Sequence, residues 1–270
     1  MNVRVWGCRG SLATPGPATL RYGGNTSCVE VRSNEGAVVV LDAGTGIREL
    51  GASLVERGVA EVDLLLTHLH LDHLEGLSFF APLHDPGCRV RVWGPRPADE
   101  GSLREHVMRW ISPPYFPVPF DQLFPEPSFT EVMESTWQIG GLHVSSSQVE
   151  HPGSTVGFRL EEAGRALAYI PDNEADLGGG GALELGRGAD VVFHDAQFTA
   201  EEYGSRTRWG HSSLGGFADL VRAAAPGRAF MFHHDPSHAD EKLEEMLVTA
   251  RRLTGQTPVE LARDGLELRL

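Results

Sequence analysis

The feature that most constrains this chain is a set of short apolar segments that each end in histidine or aspartate. One of them, LLLTHLHLDHLEG (Leu64–Gly76), places His68, His70, Asp72 and His73 within six residues. Side chains two apart in an extended chain point the same way, and a helix that starts at Asp72 aims the next two back toward them. Imidazole together with carboxylate suits zinc, or less specifically iron or manganese. The segment therefore predicts a metal site, with room for two adjacent ions.

Three later segments repeat the arrangement. VSSSQVEH ends at His151, ALAYIPD ends at Asp172, and RAFMFHH ends at His233 and His234. A single histidine after a strand is more often a polar cap. We interpret these residues as metal ligands only because the first segment already predicts a metal site. If the strands share one sandwich, their ends meet at one rim, where rigid strands hold ligands well. We expect His233 rather than His234 to be the last ligand, because it directly follows the strand.

The order of strand and helix patterns favours a layered α/β or α+β fold without strict alternation, and we expect one domain over residues 1–270. The predicted strands are Asn2–Trp6, Ser27–Val31, Ala37–Leu41, Val62–Thr67, Arg89–Trp93, Leu142–Val149, Ser154–Leu160, Ala166–Ile170, Val191–His194, Arg228–Phe232 and Leu266–Leu270. The predicted helices are Gly46–Arg57, His73–Phe80, Gly101–Met108, Leu214–Ala225 and Ala239–Leu253. Ser112–Pro127 is too rich in proline for a regular element, and Asp176–Glu184 is read as a flexible glycine loop.

Composition excludes several classes of protein. The net charge is −14 and no basic run of five occurs, which counts against long nucleic acids as partners. No apolar run reaches the roughly 20 residues of a membrane helix, and the N-terminus lacks the core of a signal peptide, so we expect a cytoplasmic protein without membrane contact. Cys8, Cys28 and Cys88 are too widely spaced for a zinc ribbon, so a metal must be held by histidine and aspartate.

These residues resemble the metallo-β-lactamase superfamily of metallohydrolases. The matching pieces are LDAGTG (Leu41–Gly46), THLHLDH (Thr67–His73), His151, Asp172 and His233, in order across most of the chain. The resemblance implies a four-layer αββα sandwich with the metal site along one edge of the two sheets. It also implies two divalent ions, zinc with manganese or iron as alternatives, and a homodimer.

The resemblance assigns a role to each ligand. His68, His70 and His151 bind the first metal, Asp72, His73 and His233 bind the second, and Asp172 bridges both. Asp42 orients a ligand histidine, although a simple turn-forming aspartate explains it nearly as well. True β-lactamases usually have a cysteine among the ligands of the second metal, and no cysteine of this chain lies near a motif position. The oxygen-reducing di-iron members have a glutamate where this chain has His70. Thioesterases and lactonases share the ligand set and stay open.

Further motifs resemble ribonuclease Z and its phosphodiesterase relatives. They are VVFHDAQF (Val191–Phe198), WGHSS (Trp209–Ser213) and the opening GCRGSLATP…GGNTSC. The resemblance implies that Asp195 orients His211, which stabilises transition-state charge or protonates the leaving oxygen. That group often has glutamate at the position of Asp195. The alternative for His211 is a residue at the start of a helix that makes only a local hydrogen bond.

The resemblance points to a small substrate. Members that process tRNA generally insert a long arm between the positions of His151 and Asp172, where this chain has only 20 residues. The expected activity is therefore hydrolysis of a small phosphodiester, such as a cyclic nucleotide, by a hydroxide that bridges the two metals. Asp72 accepts the hydrogen bond of the hydroxide in this scheme, or Asp172 does. A thioester, lactone or ester hydrolase, a tRNA 3′-processing endonuclease and a metal-bound module without turnover are the alternatives.

Three further segments are candidates for the substrate wall. The aromatic segment PPYFPVPF (Pro113–Phe120) faces a nucleobase, or else covers the core or a dimer surface. Arg21, Tyr22 and Asn25 also line the site in this hypothesis. The run Gly178–Gly181 is weak evidence for phosphate binding, since it does not match a P-loop.

Overall fold

The computed structural model describes residues 1–123 and 127–270. Its strands form from short runs of β-branched and aliphatic residues. The strands are β1 (Asn2–Gly7), β2 (Cys28–Arg32), β3 (Val38–Leu41), β4 (Glu61–Leu65), β5 (Arg89–Pro95), β6 (Ser128–Val132), β7 (Ser135–Ile139), β8 (Leu142–Gln148), β9 (Val156–Glu162), β10 (Arg165–Ile170), β11 (Val191–Asp195), β12 (Arg228–Phe232), β13 (Val259–Leu261) and β14 (Glu267–Arg269). Strands β3 and β11 are buried along their whole length, as expected for strands covered on both faces.

The helices lie between the strands and have 4 to 15 residues. They are α1 (Ile47–Glu56), α2 (Ala81–His84), α3 (Leu103–Trp110), α4 (Phe120–Leu123), α5 (Gly180–Gly186), α6 (Ala200–Tyr203), α7 (Leu214–Ala224) and α8 (Asp240–Thr254). Helix α7 begins where Ser213 accepts hydrogen bonds from the backbone of Gly215 and Gly216, and it ends before Pro226. A serine N-cap and a following proline are the sequence signals that predicted it.

The strands assemble into two seven-stranded sheets with the same plan. The first has the order β14-β1-β2-β3-β4-β5-β6, and the second has the order β13-β12-β11-β10-β9-β8-β7. In each sheet one half is antiparallel and the other half, β3 to β6 or β10 to β13, is parallel. Ligand sites in sheets of this kind lie beyond the carboxyl ends of the parallel strands.

The sheets pack face to face and the helices cover their outer faces. The inner core includes Val5, Val31, Leu41, Val144, Phe158, Tyr169, Phe193, Phe230 and Phe232. Helices α1, α2 and α3 cover the first sheet, and α5, α7 and α8 cover the second. The order helix, sheet, sheet, helix confirms the predicted αββα sandwich.

Several local predictions were wrong. The segment predicted as a helix from His73 to Phe80 consists of two single 3₁₀ turns, Leu71–His73 and Leu77–Phe79. Helix α5 begins at Gly180 inside the segment predicted as a glycine loop, because Ala182 and Leu185 of this helix are buried against the second sheet. Strands β6, β7 and β13 were not predicted. Their half-exposed or very short sequences carry little apolar periodicity.

The proline-rich segment is mostly irregular, as predicted, apart from the single turn of α4. Residues 124–126 of that segment lie outside the described residues. Tyr115 stacks on Trp110, Phe116 packs edge-on against Phe79, and Phe120 is buried in the core beneath the first sheet. These contacts favour a covering role for the segment over a substrate wall.

No helix in the described parts of the chain has the length and hydropathy needed to cross a bilayer.

We expect Phe193→Ala to lower the free energy of unfolding by about 3–5 kcal/mol, because it leaves a cavity between the sheets. The ring of Phe193 is fully buried, and its centroid lies 5.1 Å from that of Phe230 and 5.6 Å from that of Phe232. Urea denaturation measures the change. The exposed control Val248→Ala stays within about 0.5 kcal/mol of wild type. Equal effects of the two substitutions would contradict this placement of the core.

Candidate metal centre

The predicted ligands come together at one rim of the sandwich. His68 follows β4, Asp172 follows β10 and His233 follows β12, each within three residues of the strand end. His151 follows the antiparallel strand β8 and reaches the same place. Because the parallel strands of both sheets end here, side chains from distant parts of the chain meet.

Three histidines form a first cluster: His68, His70 and His151. Nδ1 of His70 lies 2.9 Å from Nε2 of His68 and 3.0 Å from Nε2 of His151. Neighbouring ligand atoms of a tetrahedral zinc site with Zn–N bonds of about 2.0–2.1 Å are about 3.3 Å apart. The first cluster therefore has nearly the spacing of one face of such a site.

Asp72, His73 and His233 form a second cluster. Oδ2 of Asp72 lies 3.1 Å from Nε2 of His233 and 3.4 Å from Nε2 of His73. Asp172 stands between the clusters. Its Oδ1 lies 3.1 Å from Nε2 of His73, and its Oδ2 lies 3.7 Å from Nε2 of His68. The two oxygens of one carboxylate thus face different clusters, which is the geometry of a bridging ligand.

The polar atoms at the centre lack partners that a divalent cation would supply. Nε2 of His73 and Oδ1 of Asp172 are buried and neither has a hydrogen bond. A buried polar group left in this state costs about 1–3 kcal/mol. Nitrogen and carboxylate donors in two adjacent groups suit zinc, iron or manganese, so the residues fit the metals that the fold implies.

Four of the histidines are oriented by a hydrogen bond from Nδ1. His73 donates to Oδ2 of Asp42 at 2.8 Å, His151 to the carbonyl of Gly210 at 2.7 Å, and His233 to Oε1 of Gln197 at 3.0 Å. His68 donates to the Thr67 hydroxyl, which itself donates to Asp42. In this tautomer each Nε2 presents its lone pair to the centre.

Burial keeps the first cluster in the form that binds metals. It lowers the pKa of His68 well below its usual value and the pKa of His151 to about 4. Burial also lowers the pKa of His70. These rings are therefore neutral at pH 7, and neutral imidazole is the ligand form.

Asp42 makes the contact that the orienting hypothesis requires. It is fully buried, and besides His73 it accepts hydrogen bonds from the backbone and hydroxyl of Thr67 and from the Tyr169 hydroxyl. Its φ of 60° lies in the left-handed region, where a non-glycine residue is uncommon. A simple turn-forming aspartate does not need four donors.

Asp195 and His211 form a hydrogen-bonded pair, called the dyad below. Nδ1 of His211 donates to Oδ2 of Asp195 at 2.8 Å, and the His211 ring stacks on His233 with centroids 4.8 Å apart. Burial lowers the pKa of His211, but the charge and hydrogen bond of Asp195, with the charges of Asp172 and Asp72, raise it overall to about 9. In the metal-free protein the dyad therefore holds a protonated imidazole beside both clusters at pH 7.

His234 points away from the centre. Its Nε2 donates to the carbonyl of Ala262 at 2.9 Å, and burial lowers the pKa of this ring to about 3. His233, by contrast, has a φ of 57°, and this left-handed turn directs its ring into the second cluster. The structure thus places His233, the residue chosen from the sequence, at the centre.

The residues predicted to line the site from the N-terminal loop lie elsewhere. Arg21 pairs with Glu241 and Glu244 of α8, and the Tyr22 hydroxyl also donates to Glu244. The Asn25 side chain accepts from the hydroxyl of Thr45. These contacts join the loop to α8 and to the turn before α1. The prediction that Arg21 and Tyr22 line the site was therefore wrong, since both side chains bind acidic residues far along the chain.

Some contacts of the centre were missed by sequence reasoning. Gln197 orients His233, and the backbone of Ser11 donates to Oδ2 of Asp72 at 2.7 Å. Gly10 and Gly210 leave room for ligand rings, since a Cβ would lie 2.2 Å from Nδ1 of His233 or 2.3 Å from Nδ1 of His151. The glycines in the motifs GCRG and WGHSS were the available signal.

Known proteins similar to this chain identify its family. Residues 38–234 match the family model described as the Beta-lactamase superfamily domain.

The chain belongs to the metallo-β-lactamase superfamily.

Over 208 residues it is 29% identical to the uncharacterized protein Rv1339 of Mycobacterium tuberculosis, covering 74% of this chain and 68% of that protein. It is 27% identical over 276 residues to a ribonuclease Z of Methanopyrus kandleri, covering 87% and 88% of the two chains. The solved structure of a diphosphatase from the PhnP family matches with a TM-score of 0.71 at 17% identity, covering 100% of this chain and 97% of that one. This metallo-β-lactamase superfamily member is therefore a metal-dependent hydrolase close to ribonuclease Z-like proteins.

We expect Asp195→Asn to lower the pKa of His211 in the metal-free protein from about 9, because it removes the nearest negative charge. NMR titration of the imidazole measures this, with the exposed Asp219→Asn as the control. A pKa raised in the folded state stabilises the protein fully below the unfolded value of about 6.5, and that stability is lost as pH rises through about 9. The variant should therefore lose more stability near pH 6 than near pH 10. An unchanged pKa would contradict the dyad.

Proposed function

We propose that this protein is a di-metal phosphodiesterase, with zinc or alternatively manganese or iron, that hydrolyses a small phosphodiester such as a cyclic nucleotide. The observation that carries the proposal is the dyad. Its His211 ring lies 5.2 Å from His151 of the first cluster and 4.8 Å from His233 of the second. A hydrogen-bond donor in this position serves a reaction in which negative charge develops beside two metals.

The residues divide the work as follows. Bound divalent ions lower the pKa of a water molecule and neutralise charge on the phosphate oxygens. Asp172 and Asp72 are the acceptors that orient the attacking water. His211, held by Asp195, donates its proton to the leaving ester oxygen through Nε2, since Nδ1 is bonded to the carboxylate.

A small substrate is supported by the chain between His151 and Asp172. It forms the hairpin of β9 and β10, with the two strands paired from Arg165 and Glu162 to Tyr169 and Phe158. The stretch contains no protruding arm. Two of the similar proteins are a ribonuclease and a diphosphatase by name, and both names denote hydrolysis at phosphorus.

Two other activities remain as alternatives. A carboxylic ester, thioester or lactone hydrolase would use the same ligands but would not need Asp195 and His211. A tRNA 3′-processing endonuclease is favoured by the ribonuclease Z of Methanopyrus kandleri, which matches over most of its length. The net charge of −14 and the short hairpin count against it. The homodimer stays a prediction.

The direct test is product formation by the zinc- or manganese-loaded protein. The substrates are 3′,5′-cyclic AMP and cyclic GMP, with precursor tRNA, a thioester and a lactone alongside. Cleavage of a cyclic nucleotide that is lost in Asp172→Ala supports the proposal. Turnover of the thioester, lactone or tRNA alone would replace it with the matching alternative.

We expect the wild type to bind two zinc ions per chain and His233→Ala to bind one, because the second cluster loses a ligand while the first is intact. Equilibrium dialysis followed by elemental analysis measures the ratio. His143→Ala is the matched control, since His143 is a half-exposed histidine on β8 outside both clusters. One ion per wild-type chain would argue against the two-metal proposal.

We expect His211→Ala to lower kcat on the cyclic nucleotide by roughly 100-fold or more, because the leaving oxygen then departs without a proton donor. The zinc content should stay at the wild-type value, since His211 is not among the proposed ligands. His143→Ala again serves as the control and should keep the wild-type kcat. Wild-type kcat in His211→Ala would remove the dyad from the reaction.

A further inference from the structure

Two cavities open beside the candidate metal centre, and the proposed function uses neither. One, of about 310 Å³, adjoins His68 and His70 and is lined chiefly by Leu69, Pro95, Pro97 and Ala98. The other, of about 440 Å³, adjoins His211 and is called the His211 cavity below. Both volumes are in the range of small-molecule sites. The question is which of them receives the organic part of the substrate.

The walls of the His211 cavity combine aromatic and cationic side chains with one carboxylate, that of Asp235. Trp209 is 61% exposed and stands two residues before His211 in the chain. The guanidinium of Arg206 lies 5.0 Å from the centroid of the Phe198 ring, and Phe198 packs edge-on against His211. Within residues 1–123 and 127–270, Arg206 has no carboxylate at ion-pair distance, so its charge is available to a ligand.

The turn that carries Trp209 is held rigidly from below. Glu174 is 1% exposed, and its carboxylate accepts hydrogen bonds from the Tyr203 hydroxyl at 2.7 Å and from the backbone of Arg208 at 2.6 Å and Gly210 at 2.8 Å. The two backbone donors flank Trp209 directly. Arg208 is kept at a φ of 68°, in the left-handed region. An exposed tryptophan on a turn fixed by a buried carboxylate is a preorganised surface and not a mobile loop tip.

The chemistry of these walls suits a nucleobase. An indole face offers stacking area to any base, and a planar guanidinium stacks on the same kind of ring. The position of the cavity gives the same answer. His211 lines it and contacts both clusters, so a nucleoside in this cavity lies beside a phosphate bound at the centre. In a 3′,5′-cyclic nucleotide both ester oxygens belong to one nucleoside.

We propose that the His211 cavity binds the nucleoside part of the substrate, with the base stacked on Trp209 and in contact with Arg206. This assignment rests on the proposed phosphodiesterase function and names the substrate class of that site. It makes Trp209 a specificity-determining residue and leaves the other cavity, beside His68 and His70, without a part in nucleoside binding.

The kinetic test compares variants on the two sides of the centre. Trp209→Ala should raise KM for 3′,5′-cyclic AMP by roughly 5-fold to 100-fold with a smaller change in kcat, because it removes the indole ring on which the base stacks. Trp209→Phe should recover most of this loss. Ala98→Trp, which fills the other cavity, should leave KM at the wild-type value. A raised KM in Ala98→Trp with none in Trp209→Ala would move the nucleoside to the other cavity and overturn the proposal.

A binding measurement separates this proposal from the proposed function. Adenosine 5′-monophosphate should quench the tryptophan fluorescence of the zinc-loaded protein, and Trp209→Phe should abolish the quenching. Trp110→Phe is the matched control, since Trp110 stacks on Tyr115 away from the centre, and it should keep the quenching.

The outcomes are distinct. Quenching through Trp209 without hydrolysis of any phosphodiester would remove the proposed function and retain a nucleotide site. Hydrolysis with unchanged KM in Trp209→Ala and unchanged quenching in Trp209→Phe would retain the function and overturn the nucleoside site.

Discussion

The buried carboxylate of Asp42 is the interaction on which the rest of the centre depends. It follows β3 of the first sheet and accepts a hydrogen bond from Tyr169 on β10 of the second. It also holds Thr67 and His73. A buried charge is costly unless it is fully paired, so these donors must stay in place together. One side chain thereby joins both sheets directly beneath the two clusters and sets the direction of a ligand ring.

The electrostatics of the rim follow from that arrangement. Burial keeps the imidazoles of the first cluster neutral, while the carboxylates of Asp72 and Asp172 are held in the charged form beside His73 and His233. Burial opposes the charge of these carboxylates, and the neighbouring imidazoles outweigh it, so the pKa of each lies well below its usual value. Buried carboxylates and imidazole lone pairs of this kind are stabilised by a cation, which the fold implies and which suits Nε2 of His73 and Oδ1 of Asp172, two buried atoms without a hydrogen bond.

Hydrogen bonds behind the ligand histidines fix the positions of their rings. Gln197, two residues after Asp195, orients His233, and the carbonyl of Gly210 orients His151. Glu174 holds the turn that contains Gly210, so the same carboxylate positions a ligand of the first cluster and the exposed Trp209. Metal binding and substrate binding thus share one rigid support, and this links the dyad, the clusters and the His211 cavity.

The sequence by itself determined the chemistry and most of the framework. HxHxDH after an apolar strand and the later histidines and aspartate at strand ends identified the ligand types, because strand ends hold side chains at known spacing. The patterns also located eleven strands and the long helices. They failed at the segment from His73 to Phe80 and at the glycines that begin α5, where tertiary contacts decide the local structure. The full set of donors on Asp42 and the rigid position of Trp209 depend on groups far apart in the chain. Only packing of the two sheets brings them within hydrogen-bond distance, so no local pattern contains that information.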